Sequence, residues 1–207
     1  MGKGDTTKQT ILDHALQLAT SIGLDALTIG RLATELKLSK SGLFAHFQSK
    51  EALQVQVLET AARRFEADVI KPSLKAARGL PRLTAIFDNW RRWSLGIMAA
   101  GHGCPFFAVA SELDDRPGPV RDELVRIQRA WFELIASVVR QGVDDGLLDD
   151  RADPEQFAQD LYGILLSCHF CHRLLDDPGA ERRACAAFAQ LLAPLRPLAA
   201  KRPVSVG

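Results

Sequence analysis

Leu27-Thr-Ile-Gly-Arg-Leu-Ala-Thr-Glu-Leu-Lys-Leu-Ser-Lys-Ser-Gly-Leu-Phe-Ala-His-Phe-Gln-Ser-Lys50 contains two short apolar stripes with a brief polar gap between them. Ile29, Leu32, Ala33 and Leu36 recur at helical spacing, with Thr28 placed to cap their start; Leu43, Phe44 and Phe47 form the next stripe, with Ser39 as its cap. Two helices of about nine residues joined by a turn of about three is helix-turn-helix spacing. Ala33 is small where the helices would cross, and Leu32, Leu36, Leu43 and Phe47 can share a core with an upstream helix. That helix reads as Ile11, Ala15, Leu18, Ala19 and Ile22, with Thr6 or Thr7 as cap and Gly23 as a left-handed stop. Downstream, a longer helix starts at Ser49, carries Glu51 in its first turn, runs to about Ile70 and is expected to end at Pro72.

The outward face of the second short helix holds Lys40, Ser41, Gly42, Ala45 and His46 near its N-terminal end. In a helix-turn-helix that end enters the major groove, and its free N–H groups favour phosphate. Gly42 leaves room for the backbone to approach bases. Lys50 sits in the first turn of the following helix, where a cation opposes the helix dipole; a phosphate contact would explain it. The whole chain carries a net charge of only +1, yet between Thr28 and Lys50 Arg31, Lys37, Lys40 and Lys50 face the single acid Glu35. On spacing and charge alone, DNA binding and an ordinary solvated surface both remain open.

Beyond this segment the spacing is helical throughout, and the expected class is all-α with about nine helices. Helices are expected over Leu80–Ala99, Pro105–Leu113, Val120–Val143, Asp153–Leu175 and Arg182–Leu192, divided by the breakers Gly101-His-Gly-Cys-Pro105, Arg116-Pro-Gly-Pro119, Asp144-Asp-Gly146 and Asp177-Pro-Gly179. The division expected is a DNA-binding domain over 1–52, a helical effector-binding and dimerisation domain over 53–194, and a disordered tail over 195–207. A hydrophobic fraction of 47% with 25% charged residues is that of a soluble globular chain. No apolar run is long enough to span a membrane and the N-terminus lacks a signal-peptide core, so the expected location is the cytosol, with the four cysteines as reduced thiols.

From about Thr7 to Leu58 the sequence resembles the DNA-binding domain of the tetracycline-repressor (TetR) family. The resemblance is carried by Ala26-Leu-Thr28, Leu32-Ala33, Leu38-Ser-Lys-Ser-Gly-Leu-Phe44, His46-Phe47 and Ser49-Lys-Glu-Ala-Leu53. It implies that Thr28, Phe44, His46 and Lys50 meet the sugar-phosphate backbone of a double-stranded operator, and that Lys40, Ser41, Gly42 and Ala45 face bases. It departs from the family at Lys37, where the inter-helix turn usually has Gly; if φ is positive there, Lys costs about 1 kcal/mol. The resemblance further implies a repressor that a small molecule releases, a cavity among the middle helices, and a homodimer paired through its last two helices. Phe87, Trp90, Trp93, Phe106, Phe107, Trp131 and Tyr162, with Met98 and Phe132, concentrate the aromatics of the C-terminal part, more than a core needs, which favours an apolar or aromatic effector. Glu112 could anchor it, whereas Arg91 and Arg92 are expected to face solvent. For the dimer, Phe157, Leu161, Leu165 and Cys168 on one helix and Phe188, Leu191 and Leu192 on the next are the candidate stripe.

Two motifs offer other chemistry. Cys168-His-Phe-Cys-His172 carries soft ligands, but on one and a half turns of one helix they cannot surround an ion, so no metal or cofactor is expected. Cys104 precedes Pro105 at a helix start, where the dipole lowers a thiol pKa; with His102 nearby, redox or electrophile sensing is an alternative reading. No phosphate loop, nucleophile elbow or zinc-hydrolase motif is present, so an enzyme is not expected.

Overall fold

The computed structural model describes the backbone of residues 3–99 and 104–197, and the side chains of 8–96 and 104–197. The Met98 side chain, His102 and the centre of the glycine-rich breaker lie outside what is described. Every regular element is helical, with no strand among the described residues: α1 (Lys3–Ile22), α2 (Ile29–Leu36), α3 (Lys40–Phe47), α4 (Lys50–Phe65), a π-helical turn (Glu66–Ile70), α5 (Lys71–Leu74), α6 (Leu80–Ala99), α7 (Pro105–Leu113), α8 (Pro119–Asp144), α9 (Pro154–Leu174), α10 (Ala180–Leu192) and a 3-10 turn (Ala193–Leu195). Because α5 is the last turn of a helical run unbroken from Lys50, the described residues form nine helical stretches.

Helix starts follow local chemistry. The side chains of Thr28, Ser39, Ser49 and Asp153 accept from the N–H groups of Arg31, Gly42, Ala52 and Gln156, satisfying donors that a helix leaves free. α1 begins at Lys3, upstream of Thr6 and Thr7, so neither is its cap. Gly23 ends it at φ +86°. α2 ends on Lys37 at φ 54°, ψ 37°, the left-handed conformation, while the N–H of Leu38 returns to Ala33 O at 3.0 Å. Lys37→Gly should therefore raise stability by up to about 1 kcal/mol in a denaturant titration; an unchanged or lowered midpoint would refute the strain at this turn.

Pro72 does not stop the fourth helix. A proline removes a donor and crowds the carbonyl four residues back. Just ahead of it the chain widens into the π turn, with Lys71 N–H reaching Glu66 O, and the helix proceeds to Leu74. The expected tail boundary also moves: Leu195 is buried and its carbonyl accepts Asp149 N–H at 3.0 Å, so the chain remains packed through that residue.

One apolar core runs through the molecule. Leu32, Ala33, Leu43 and Phe47 pack with Ile11, Ala15 and Ala19 of α1, and Leu36 is half-buried against them. α4 binds both halves together, packing on α1 and on α8. α9 packs on both α8 and α10. Among the described residues no helix is long and apolar enough to cross a membrane.

Candidate DNA-binding face and effector cavity

The candidate recognition surface is built by α3. Its inward residues Leu43 and Phe47 are each about 1% exposed, which turns Lys40, Ser41, Gly42, Phe44 and Ala45 outward and leaves His46 partly exposed. Phe44, a large apolar ring 44% exposed, has no core to fill in this chain. The Lys40 ammonium lies 6.0 Å from its centroid. Gly42 has a second reason to be glycine: a Cβ there would stand 2.9 Å from the capping Ser39 Oγ. Thr28 is half-buried, its hydroxyl engaged as the cap of α2.

The link from α3 to α4 is a γ-turn that no local sequence signal announces. Gln48 adopts φ 63°, ψ −47°, and Ser49 N–H bonds to Phe47 O at 2.7 Å. This uncommon backbone starts α4, with Lys50 as its first residue, immediately after α3. Lys50 is paired with Asp25 at 2.9 Å.

The second site is a cavity of about 560 Å³ among α4, α6, α7, α8 and α9, within the size range of small-molecule pockets. Of the seven aromatics expected there, Trp90, Phe106, Phe107, Trp131 and Tyr162 line it. Phe87 does not: its ring stacks on Phe188 at 4.1 Å, joining α6 to α10. Nor does Trp93, which packs edge-on to Phe65 at 5.0 Å and stacks on Phe106 behind the lining. Phe65 of α4 lines it instead, edge-on to Trp90, Phe106 and Trp131 at 4.8–6.0 Å. Only its place on the buried Leu58–Ala61–Phe65 stripe marked it in sequence, and that pattern also marks ordinary core. Gln128 donates to Tyr162 Oη at 3.0 Å, and burial pushes that phenol up to about 12, so it stays neutral. Glu59, Arg63, Glu66 and Arg126 contribute the charged part of the lining. On the other side of Gln128 a second cavity of about 610 Å³ lies between α7, α8 and α9 over Leu113, Leu124 and Phe132.

Three polar expectations change. Arg91 pairs with Glu181 of α10 and with Asp88, and is largely buried, so it ties α6 to α10; Arg92 bonds along its own helix to Asn89. Glu112 does not face the cavity but binds the backbone of the turn between α1 and α2. Cys104 does sit at the start of α7 and lines the cavity, yet it is 1% exposed and burial pushes its thiol up to about 12; the amides of Phe107 and Phe106 offset only part of that. Burial and the raised thiol pKa both disfavour the thiolate that redox or electrophile sensing requires.

The expected dimer stripe is internal. Phe157, Leu161, Leu165, Cys168 and Phe188 are buried within the single chain, and Leu191 and Leu192 are half-buried against the same core. α9 is apolar on two faces, and the face chosen from sequence is the one its own chain covers. The opposite face exposes Leu166, Phe170 and Leu174, with Leu175 just beyond, at 43–66%. On the neighbouring α10, Cys185, Ala186 and Ala189 are exposed. All four cysteines are free, and no cluster of metal-ligating side chains occurs among the described residues.

A helix-turn-helix with an exposed reading helix, mounted on a helical body that encloses an aromatic cavity, defines the class of DNA-binding regulators. A model of the bacterial regulatory proteins of the tetR family matches residues 11–57, and a model of the tetracyclin repressor-like C-terminal domain matches residues 79–188. The chain belongs to the TetR family of transcriptional regulators. It is 41% identical over 46 residues to the class G tetracycline repressor of Vibrio anguillarum, a match that spans 22% of each chain. Its fold is that of a TetR regulator from Chloroflexus aurantiacus, with TM-score 0.83, 21% identity, and coverage of 95% of this chain and 99% of that one. AibR, crystallised with isovaleryl coenzyme A and operator DNA, superposes with TM-score 0.69 at 20% identity, covering 91% and 98% of the two chains.

Proposed function

We propose that this regulator is a homodimeric repressor that leaves its operator when an apolar or aromatic small molecule enters the α4–α9 cavity. The observation that carries the reading is the pairing of the exposed N-terminal half of α3 with a cavity lined by five aromatic rings from the expected set. In this reading Lys40, Ser41, Gly42 and Ala45 face bases, while Thr28, Phe44, His46 and Lys50 meet the sugar-phosphate backbone. The dimer forms across the exposed face of α9, Leu166, Phe170 and Leu174, with the small exposed side chains of α10 allowing close approach. AibR supports the combination of functions, since that fold neighbour was crystallised with both isovaleryl coenzyme A and operator DNA.

Mapping the genomic DNA bound by the purified chain, starting with the segment upstream of its own gene, tests the reading and identifies the neighbouring genes whose chemistry points to the effector. On that DNA, Lys40→Ala should weaken binding several-fold with an unchanged melting temperature. If Lys40 contacts phosphate, the loss is uniform across sequences and the salt slope falls by about one; if it contacts a base, the loss is confined to the operator. Unaltered affinity would remove Lys40 from the interface.

A further inference from the structure

The turn between α1 and α2 is held from two directions. From within, Gln54 of α4, itself buried, donates to Leu24 O at 2.6 Å and to Leu27 O at 3.4 Å. From outside, Glu112 of α7 accepts Leu24 N–H at 3.2 Å on Oε1 and Asp25 N–H at 2.9 Å on Oε2. Gly23 lies under that carboxylate: a Cβ there would stand 2.9 Å from Glu112 Oε1. The Asp25 side chain is divided between two cations, Lys50 Nζ on Oδ1 at 2.9 Å and Arg116 Nη1 on Oδ2 at 3.0 Å. Both cations hold its carboxyl below the usual range, so it is charged wherever DNA binding is measured.

Lys50 is therefore not a free cation in the unbound chain. Its partner is a carboxylate oxygen, the same kind of anionic acceptor that a DNA phosphate presents. Glu112 and Arg116, which fix Asp25, belong to the end of α7 and the turn after it. The other end of α7 supplies Phe106 and Phe107 to the cavity. Nine residues of helix, about 13 Å, separate the two ends.

We infer that Asp25 and Glu112 are positioning residues for DNA binding: Asp25 occupies the Lys50 ammonium in the free chain and competes with phosphate for it, and Glu112 holds the turn that keeps Asp25 there. The inference rests on the proposed phosphate contact of Lys50. On DNA, Lys50 exchanges the carboxylate for a phosphate and Arg116 keeps the Asp25 charge compensated. The affinity for duplex is thereby set below what Lys50 alone would give. A shift of α7, whose far end lines the cavity, moves the turn and alters that competition with no contact between ligand and DNA.

The test uses the full chain and a fluorescein-labelled duplex of arbitrary sequence, its anisotropy titrated over a salt series. Asp25→Asn should tighten binding by roughly 3–10-fold near 0.1 M salt and steepen the salt slope, because Lys50 then contributes its full counterion release. In a Lys50→Ala background the same change should give no gain. Glu112→Ala should speed hydrogen exchange at the Leu24 and Asp25 amides and move the salt slope toward that of Asp25→Asn. A purely structural role would lower the melting temperature and leave the slope unmoved. Asp25→Asn binding no tighter than the parent, or a gain that persists without Lys50, would overturn the inference while leaving the DNA reading intact. A parent chain without salt-dependent duplex binding would overturn both.

Discussion

Phe170→Glu should convert the protein to a species that sediments at the single-chain mass of 22.7 kDa and loses operator binding by roughly two orders of magnitude or more. Phe170 is 51% exposed and stands one helical turn from both Leu166 and Leu174 on the outer face of α9. On a twofold interface each side chain meets its own counterpart or a near neighbour, so one substitution places two carboxylates in a dehydrated, apolar contact with no cation to pair them. In the separated chain the introduced carboxylate points to water, so the fold and melting behaviour of the protomer survive. The loss on DNA is larger than any single contact explains. One recognition helix reads too few bases to hold an operator alone, and the second helix binds at high effective concentration only while the dimer exists. Sedimentation velocity and a mobility shift read the two effects separately. A variant that stays dimeric and binds normally would move the interface off this face, and Leu191, half-buried against the core near the end of α10, gives a control whose substitution perturbs packing instead.

The outer face of α9 also shows where sequence reading loses its grip. For α2, α3, α6 and α7 the apolar stripe, the capping Thr28 and Ser39, and the Pro105 start are local signals, and the observed helices follow them closely. Lys37 could be flagged because a left-handed turn has a known steric cost for any residue with a Cβ. α9 is different. Leu161 and Leu165 on one side, and Leu166, Phe170 and Leu174 on another, are equally apolar, so periodicity defines a helix buried on both sides but not which side its own chain covers. That choice depends on how α8 and α10 pack, and they leave Leu161 and Leu165 buried inside the single chain. Pro72 misleads for a related reason: its cost is real, but the π turn at Glu66–Ile70 absorbs it, and no local signal foretells that adjustment. Glu112 is 88 residues from Leu24, and a single carboxylate on a short helix gives no hint that it will hold a distant turn. Among the aromatics, composition draws attention to the middle helices, where five of the seven expected rings line one cavity. Whether a ring faces a void or another ring is beyond it, as the stacking of Phe87 on Phe188 makes plain.

Phe65→Ala should be among the most damaging single truncations in the C-terminal body, costing about 3–5 kcal/mol. The ring is 6% exposed and meets Trp93 at 5.0 Å, Trp131 at 4.8 Å, Phe106 at 5.8 Å and Trp90 at 6.0 Å, every pair within 7° of perpendicular. Edge-to-face pairs contribute beyond the area they bury, and here one ring supplies four of them. Phe65 is also the last residue of α4 before the π turn, so it sits where α4 meets the cavity wall. Removing it leaves the surrounding indoles in place around an added void, because α6, α7 and α8 are each held by contacts of their own. For a chain of this length the loss corresponds to a fall in melting temperature of roughly 6–20 °C, compared at equal protein concentration. The void gives a second readout. The space the ring leaves opens beside the aromatic wall of the existing cavity, where benzene can replace the lost contacts, and ligand bound only to the folded chain raises its melting temperature by mass action. Saturating benzene should therefore restore part of the lost stability in Phe65→Ala and do less for the parent. A fall below about 2 °C would show that the ring is dispensable to the body, and a large fall without benzene rescue would show that the wall collapses into the space Phe65 leaves.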